Sequence, residues 1–317
     1  MNVEIDHARE RALGLSMASH INKSGVLSCY IEPVANGLHQ VFFLRVAGRD
    51  WVGRKVLQRA DNGRWHSSSA LKPSMLLGPH VESQWGNEGL AMYFQTVSPA
   101  EKIAALDAAR GTPGSEIQFP FALIDRVDQE AVCPPGFWQC SEALATGLNA
   151  DEAHLREYCA ALLRTLVTPG RLIYDPACST GEFIAHLASS LPDCRFLASD
   201  RSASMIEHAR RQHAALPVDF RCLDAADATD AGIHCDVLIL RFLNAEVLTR
   251  RQAQCVFESL VHCVRPGGTI LIFGHTPVLI AVSWLAATLN LHLQSCVAGR
   301  SGQAELFQFY RLTVPTT

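Results

Sequence analysis

Hydrophobic and polar positions alternate differently in the two halves of the chain. In the second half, short apolar runs typical of buried strands alternate with stretches whose apolar residues recur every three or four positions, as in amphipathic helices. The strand-like runs cover 171–175, 194–200, 218–224, 235–242 and 268–274, and the helix-like stretches cover 181–191, 202–215 and 250–264. This order predicts a mainly parallel sheet with helices on both faces, because parallel neighbours need crossover connections. Ligands of such sheets bind at the carboxyl ends of the strands.

The first half has the pattern of a small α+β unit. Apolar runs at 26–34, 40–48 and 51–57 are separated by turn residues, which predicts an antiparallel meander. Ser98, Pro99 and Glu101 predict a capped helix that ends at Gly111. An amphipathic helix begins after Asn149, so we place the domain boundary there, with an N-terminal domain at 1–148 and a second domain at 149–317.

Composition and charge exclude several classes of protein. The chain is 48% hydrophobic and 18% charged, as in ordinary globular proteins. The net charge of -4 gives no basic surface for a nucleic acid. The 11 cysteines include no CxxC pair of the kind that zinc sites use, so we predict no metal, reduced thiols and a cytoplasmic location.

One uncharged stretch, 266–299, tests this interpretation. It is interrupted by Gly267, Gly268, Gly274 and Pro277, whereas a membrane-spanning helix needs about 20 consecutive apolar residues. We therefore predict a buried strand, a helix and another strand here, and no membrane span.

Candidate chemistry lies directly after the strands. The first strand ends in Asp175-Pro-Ala-Cys-Ser-Thr-Gly181, a loop of small residues that lets the backbone approach a ligand. The second strand ends in Asp200, where dinucleotide folds place a ribose-binding acid, and the third ends in Asp224. A single loop of this kind also fits a purely structural turn. Three carboxylates at the ends of consecutive strands indicate a ligand site.

From residue 149 to residue 314 the chain resembles the class I S-adenosylmethionine (SAM)-dependent methyltransferases. Its loop matches the family's first motif at Asp175, Ala177, Ser179 and Gly181. The later motifs are matched by the segment 200–206, by Asp224-Ala225 and by Arg265-Pro-Gly-Gly268. The resemblance implies a Rossmann-like doubly wound α/β fold with a mainly parallel seven-stranded sheet, preceded here by a smaller α+β N-terminal domain.

The resemblance also implies SAM as cofactor and a set of residues that bind it. Asp175 and the loop from Ala177 to Gly181 would hold the methionine end, Asp200 the ribose and Asp224 the adenine amino group. The full predicted set is Tyr174, Asp175, Ala177, Ser179, Gly181, Asp200, Arg201, Met205, Asp224, Ala225 and Arg241. The family more often has glycine at the positions of Ala177 and Ser179, which limits backbone approach there. Tyr174 faces either the core or the pocket.

The methyl acceptor is predicted to be a small molecule. Arg241 and Asn244 follow the fourth strand and His275 follows the fifth, so these side chains come closest to the methyl group. Arg241 could orient an acceptor carboxylate, as in a fatty acid converted to a methyl ester, and the uncharged 266–299 stretch suits an apolar acceptor. Alternatively, His275 could take a proton from a hydroxyl or amine of a secondary metabolite. Trp138 is a candidate lid residue over the acceptor.

Three alternatives stay open from the sequence. The loop resembles that of DNA adenine-N6 methyltransferases, but the segment 241–244 lacks their Pro-Pro pair, so nucleic acid is an unfavoured partner. A nicotinamide dehydrogenase would need more glycines than Gly181 alone in the loop. A non-catalytic scaffold has no need of three carboxylates in one cleft. Residues 1–148 are predicted to form an acceptor lid or a dimer surface, with a homodimer as one possible assembly.

Overall fold

The computed structural model describes residues 12–13, 17, 24–34, 37–59, 65–66, 69–125, 129–149, 152–300 and 302–316. The chain divides into two compact units. The first comprises Met1–Ala131 and Ser295–Phe309, and the second comprises Val132–Gln294 and Tyr310–Thr317.

The first unit is built on an antiparallel sheet, as the turn-separated apolar runs predict. Its six strands lie in the order β1-β7-β6-β3-β2-β8, and β4 and β5 form a separate two-stranded pair. The strands are β1 (Leu27–Glu32), β2 (Val41–Val46), β3 (Arg49–Arg54), β4 (Gln58–Arg59), β5 (Trp65–His66), β6 (Leu76–Gly86), β7 (Gly89–Gln95) and β8 (Glu116–Gln118). Helix α1 (Pro99–Gly111) has the predicted capping box, because Ser98 and Glu101 each accept a hydrogen bond from the other's backbone N–H.

The larger sheet has seven strands and is a mixed sheet of the Rossmann-like kind. Strands β9 to β13 pair in parallel, and β15 pairs antiparallel to β13. The order is β11-β10-β9-β12-β13-β15-β14. The strands are β9 (Leu172–Asp175), β10 (Arg195–Asp200), β11 (Val218–Cys222), β12 (Cys235–Leu240), β13 (Val264–Ile272), β14 (His292–Ala298) and β15 (Phe307–Thr313).

Helices connect these strands along the chain. They are α2 (Glu142–Asn149), α3 (Ala153–Leu166), α4 (Glu182–Ser190), α5 (Ala203–Gln212), α6 (Arg250–Val261) and α7 (Val282–Thr288). The uncharged stretch 266–299 forms the end of β13, then α7, then β14, as predicted. In the described part of the chain, every helix is too short or too polar to cross a bilayer.

The division between the units falls at Ala131 and Val132, whereas the sequence predicts a boundary near Asn149. Hydrogen bonds explain the difference. The amide of Cys133 donates to the carbonyl of Glu246, and the amide of Cys140 donates to Ser204 Oγ at the start of α5. The connector 132–140 is therefore bonded into the second unit.

The turn from β9 into α4 depends on Gly181. Its φ is +81°, and a Cβ added there would lie 2.8 Å from the Phe220 ring and 3.0 Å from Ala209 Cβ. Gly170 has the same φ of +81°, but an added Cβ would meet nothing within 4 Å. The two glycines share one backbone requirement and differ only in crowding.

We therefore expect Gly181→Ala to destabilise the protein more than Gly170→Ala. The left-handed backbone costs either alanine about 1–2 kcal/mol, and overpacking adds about 1–3 kcal/mol at position 181 alone. Chemical denaturation of both variants measures the difference in the free energy of unfolding. Equal losses would show that Phe220 moves aside without cost.

Candidate functional site

A cavity of about 200 Å³ opens at the carboxyl ends of the parallel strands. Most of the residues predicted from the sequence line it, although they come from separate segments of the chain. Those in the wall are Trp138, Ala177, Ser179, Asp200, Arg201, Met205, Asp224, Ala225, Arg241, Asn244 and His275. The order of the strands explains this convergence, because β9 has β10 on one side and β12 on the other, which creates a crevice at the strand ends.

Asp200 organises the loop after β9. Its Oδ2 accepts a hydrogen bond from the Ser179 amide at 2.9 Å, and its Oδ1 accepts one from the Ser202 amide at 2.9 Å. Ser179 adopts a left-handed φ of 53°, a conformation for which glycine is the usual residue. Burial raises the pKa of Asp200, and the two N–H donors act in the opposite direction. Each carboxylate oxygen has a further lone pair, so the group can still accept ligand hydroxyls.

The two residues predicted to contact the adenine, Asp224 and Met205, both line the cavity. Asp224 lies at the start of a short 3-10 turn, where its Oδ1 accepts the amide of Ala226 at 3.0 Å. Met205 is buried on α5, and its sulfur lies 3.8 Å from Ser179 Oγ. Asp224 and Met205 thus present a hydrogen-bond acceptor and an apolar surface to the same cavity.

Three predicted cofactor residues lie outside the cavity wall. Tyr174 is fully buried, and its hydroxyl bonds Ser199 Oγ at 2.8 Å, so it faces the core. Gly181 lies behind the loop, against Phe220. The side chain of Asp175 is completely buried, because a guanidinium group covers it.

That guanidinium belongs to Arg241. Its Nε and Nη2 donate to Asp175 Oδ2 at 3.3 and 3.2 Å, and its Nη1 donates to both carboxylate oxygens of Glu152 at 3.0 and 2.9 Å. Its Cζ lies 4.4 Å from the centre of the Phe183 ring. Burial disfavours the charged form, but the two carboxylates more than offset this and raise the pKa of Arg241. Arg241 is therefore a permanent cation already paired with two anions.

Two residues of the cavity wall, Asn244 and Trp138, carry buried polar atoms with no hydrogen-bond partner among the described residues. Asn244 is 5% exposed, and its Oδ1 makes no hydrogen bond with the described residues. The indole Nε1–H of Trp138 is likewise buried without an acceptor among them. His275 follows β13 and lies in the same wall.

Sequence reasoning missed several wall residues. Glu152 precedes α3, far from any strand end, and a glutamate there reads as an ordinary helix-start residue. Glu246 lines the cavity with a left-handed φ of 74°, which no sequence pattern indicates. Phe183 has the amphipathic spacing of a core residue of α4. With Glu152 and Glu246 included, the wall holds more carboxylates than guanidinium groups, so it favours a cationic ligand.

Comparisons with known proteins identify the family. Residues 173–268 match the family described as "Methyltransferase domain". The chain is 30% identical over 292 residues to isonocardicin synthase of Nocardia uniformis subsp. tsuyamanensis, covering 89% of this chain and 94% of that protein. It is 26% identical over 117 residues to carboxy-S-adenosyl-L-methionine synthase of Klebsiella pneumoniae, covering 35% of this chain and 46% of that enzyme.

Solved structures match about half of the chain. The N-methyltransferase NodS of Bradyrhizobium japonicum in complex with S-adenosyl-L-homocysteine (SAH) has a TM-score of 0.42 and 15% identity, covering 52% of this chain and 87% of NodS. Magnesium protoporphyrin IX methyltransferase of Synechocystis with bound SAM has a TM-score of 0.41 and 15% identity, covering 51% of this chain and 78% of that one. With its motifs, its cavity and a relative matched over nearly its whole length, the chain belongs to the class I SAM-dependent methyltransferases, and SAM is its cofactor.

Proposed function

We propose that this enzyme methylates an N–H or O–H group of a small molecule. The observation that carries the proposal is Asn244 Oδ1, a buried hydrogen-bond acceptor without a partner among the described residues, in the wall of the cavity. An unsatisfied buried carbonyl costs about 1–3 kcal/mol, so a bound group that donates a hydrogen bond recovers that free energy. Amines, amides and hydroxyls carry such a donor, and an ionised carboxylate does not.

Arg241 bears on the same choice. A carboxylic-acid acceptor, such as a fatty acid, depends on Arg241 to hold its carboxylate. The guanidinium already bonds Asp175 and Glu152, so an acceptor carboxylate would have to displace one of them. The esterification hypothesis therefore loses its main support, and the hydroxyl or amine hypothesis is favoured.

A small acceptor is supported by the wall and by one relative. The cavity wall also includes the apolar side chains of Phe242, Val247, Leu248 and Val256, which suit a compact, partly apolar molecule. The relative that matches almost the whole chain is named for making isonocardicin, a small molecule. The segment after β12 lacks the Pro-Pro pair of adenine-N6 methyltransferases, so nucleic acid stays the unfavoured acceptor.

In the proposed arrangement, the adenine of SAM contacts Asp224 and Met205, its ribose contacts Asp200, and the loop from Ala177 to Ser179 follows its methionine chain. When bound, SAM supplies the methyl group to the acceptor. Asn244 and Trp138 orient the acceptor by accepting and donating one hydrogen bond each. His275 takes the proton that the acceptor loses. Positioning of this kind can lower the activation free energy by about 7–11 kcal/mol.

We also propose roles for the N-terminal part and for the whole molecule. Residues 1–148 serve as an acceptor lid or a dimer surface. Trp138, the lid residue that lines the cavity, belongs to the connector that is bonded into the second unit. A homodimer and a cytoplasmic location belong to the same proposal. All eleven cysteines are free thiols, as in a reducing compartment.

The acceptor class can be tested by incubating the enzyme with SAM and panels of small amines, phenols and carboxylic acids. We expect SAH release and a methylated product only with the first two panels. Asn244→Ala should lower kcat/KM about 5- to 100-fold by removing one hydrogen bond. SAH binding, measured by titration, should stay unchanged in this variant. Methyl esters formed from the third panel would contradict the proposal.

Asp200→Ala is expected to weaken the binding of both SAM and SAH. Losing a charged hydrogen-bond partner costs about 1.5–3 kcal/mol, or roughly ten- to a hundredfold in affinity. Asp219→Ala is the matched control, because that aspartate is 54% exposed and pairs only with Arg221 in the described structure. Isothermal titration compares the two variants. If both bind like the wild type, the ribose does not contact Asp200.

His275 should determine how activity depends on pH. A general base works only when neutral, so turnover should fall at acidic pH as His275 takes up a proton. His275→Gln should lower the rate about 10²- to 10⁴-fold and abolish this acidic limb. His292→Gln, at an exposed position of β14, is the control and should leave the profile intact. An unchanged profile in the His275 variant would assign the proton transfer to another group.

A further inference from the structure

The group formed by Glu152, Arg241 and Asp175 carries an unbalanced charge next to the cavity. One guanidinium, at +1, lies between two carboxylates, at -1 each, which leaves a net charge of -1 when all three are ionised. The side chains are 9% exposed for Arg241, 10% for Glu152 and 0% for Asp175, so water screens this charge poorly. A buried excess charge is costly unless an opposite charge joins it. The group is therefore suited to receive a cation.

Glu152 and Asp175 are not equally able to receive it. Asp175 Oδ2 accepts from two nitrogens of Arg241, its Oδ1 accepts the Ala177 amide at 3.3 Å, and no part of its side chain is exposed. Glu152 lines the cavity, and each of its oxygens accepts one hydrogen bond from Arg241. A carboxylate offers about four acceptor sites, so Glu152 keeps capacity for a ligand.

The position of Glu152 in the chain also releases its side chain for this purpose. It stands at the N-cap of α3, but its side chain makes no capping hydrogen bond to the helix. Its carboxylate instead reaches Arg241, 89 positions further along the chain.

Strand order indicates which end of the cofactor lies here. Asp200 and Asp224 follow β10 and β11, on one side of β9, whereas Arg241 follows β12 on the other side. With ribose and adenine on the first side, the amino-acid part of SAM extends toward Arg241 and Glu152. That end carries an α-carboxylate and an α-ammonium group, and the ammonium is the group that a carboxylate of the wall attracts.

We propose that Glu152 binds the α-ammonium of SAM, that Arg241 holds Glu152 in place, and that Asp175 anchors Arg241 without touching the cofactor. The resemblance to the family assigns this end of SAM to Asp175 itself. Because Asp175 is buried, we assign the contact with the ammonium group to Glu152, a residue outside the family's motifs. The inference rests on the cofactor placement proposed above.

The experiment compares two ligands that differ only at the amino-acid end. SAH carries the ammonium group, and 5′-methylthioadenosine lacks the whole amino-acid part. Glu152→Gln should lower the affinity for SAH about ten- to a hundredfold. Its affinity for 5′-methylthioadenosine should stay within about twofold of the wild-type value, as measured by titration. Glu157→Gln, at an exposed position of the same helix, should change neither.

Other outcomes separate the possible errors. Equal weakening of both ligands by Glu152→Gln would mean that Glu152 acts only through the fold, and unchanged SAH affinity would mean that it makes no contact. If Glu152→Gln weakened the binding of SAM but not that of SAH, the Glu152 carboxylate would interact with the sulfonium and not with the ammonium group. Asp200→Ala should weaken the binding of both SAH and 5′-methylthioadenosine. If it does not, the proposed position of the cofactor is wrong, whatever the result for Glu152→Gln.

If Glu152→Gln does not fold, Glu152→Asp provides the test. It keeps the charge but withdraws the carboxylate by one methylene group. The stabilisation of this variant by SAH against thermal unfolding should then decrease, while that by 5′-methylthioadenosine should not. Equal decreases for the two ligands would overturn the proposal.

Discussion

The guanidinium of Arg241 joins three segments of the second unit that are distant in sequence. It bonds Glu152 at the start of α3 and Asp175 at the end of β9, and it stands itself at the end of β12. The face of the Phe183 ring, from α4, covers it at 4.4 Å. Removing one partner of a buried ion pair typically costs 3–5 kcal/mol, because the other charge is left uncompensated. The two ion pairs therefore stabilise the arrangement of these three segments around the cavity.

The same arrangement determines what the loop after β9 can do. Asp175 is occupied beneath Arg241, so the backbone of the loop is held from the other side, by Asp200 through the amide of Ser179. This bond fixes Ser179 in a left-handed conformation although it is not glycine. The departure from the family's glycine at this position is thus accommodated by a carboxylate that also lines the cavity.

Much of this site could be predicted from the sequence, because strand ends follow from hydrophobic periodicity. Asp200, Asp224, Asn244 and His275 each follow an apolar run, and parallel strands bring such residues to one edge of a sheet. The sequence also predicted the capped helix α1 correctly, since both sides of a capping box lie within a few residues. Local patterns were sufficient wherever the deciding contacts are local or follow from strand order.

The features that the sequence did not predict come from contacts that no local pattern specifies. Asp175 stands in the expected position, but a residue 66 positions away covers it. Glu152 has no feature that separates it from other helix-start glutamates until its pairing with Arg241 is known. Arg241 itself seemed free to bind an acceptor because its partners could not be identified from spacing. How deeply a charged side chain is buried depends on residues that are distant in sequence, whereas periodicity indicates only which face of a helix or strand the side chain occupies.

Charge balance in the cavity connects the cofactor to the acceptor. The wall carries the carboxylates of Glu152, Asp200, Asp224 and Glu246, and one of its two guanidinium groups is already paired with two anions. Such a wall attracts the sulfonium and ammonium of SAM and repels a second anion, since interactions between charges strengthen as water is excluded. An ionised carboxylate acceptor would meet this repulsion, whereas a neutral hydroxyl or amine would not. The negative field that supports binding of a cationic methyl donor thus also favours an acceptor that enters without negative charge and gives up its proton inside the cavity.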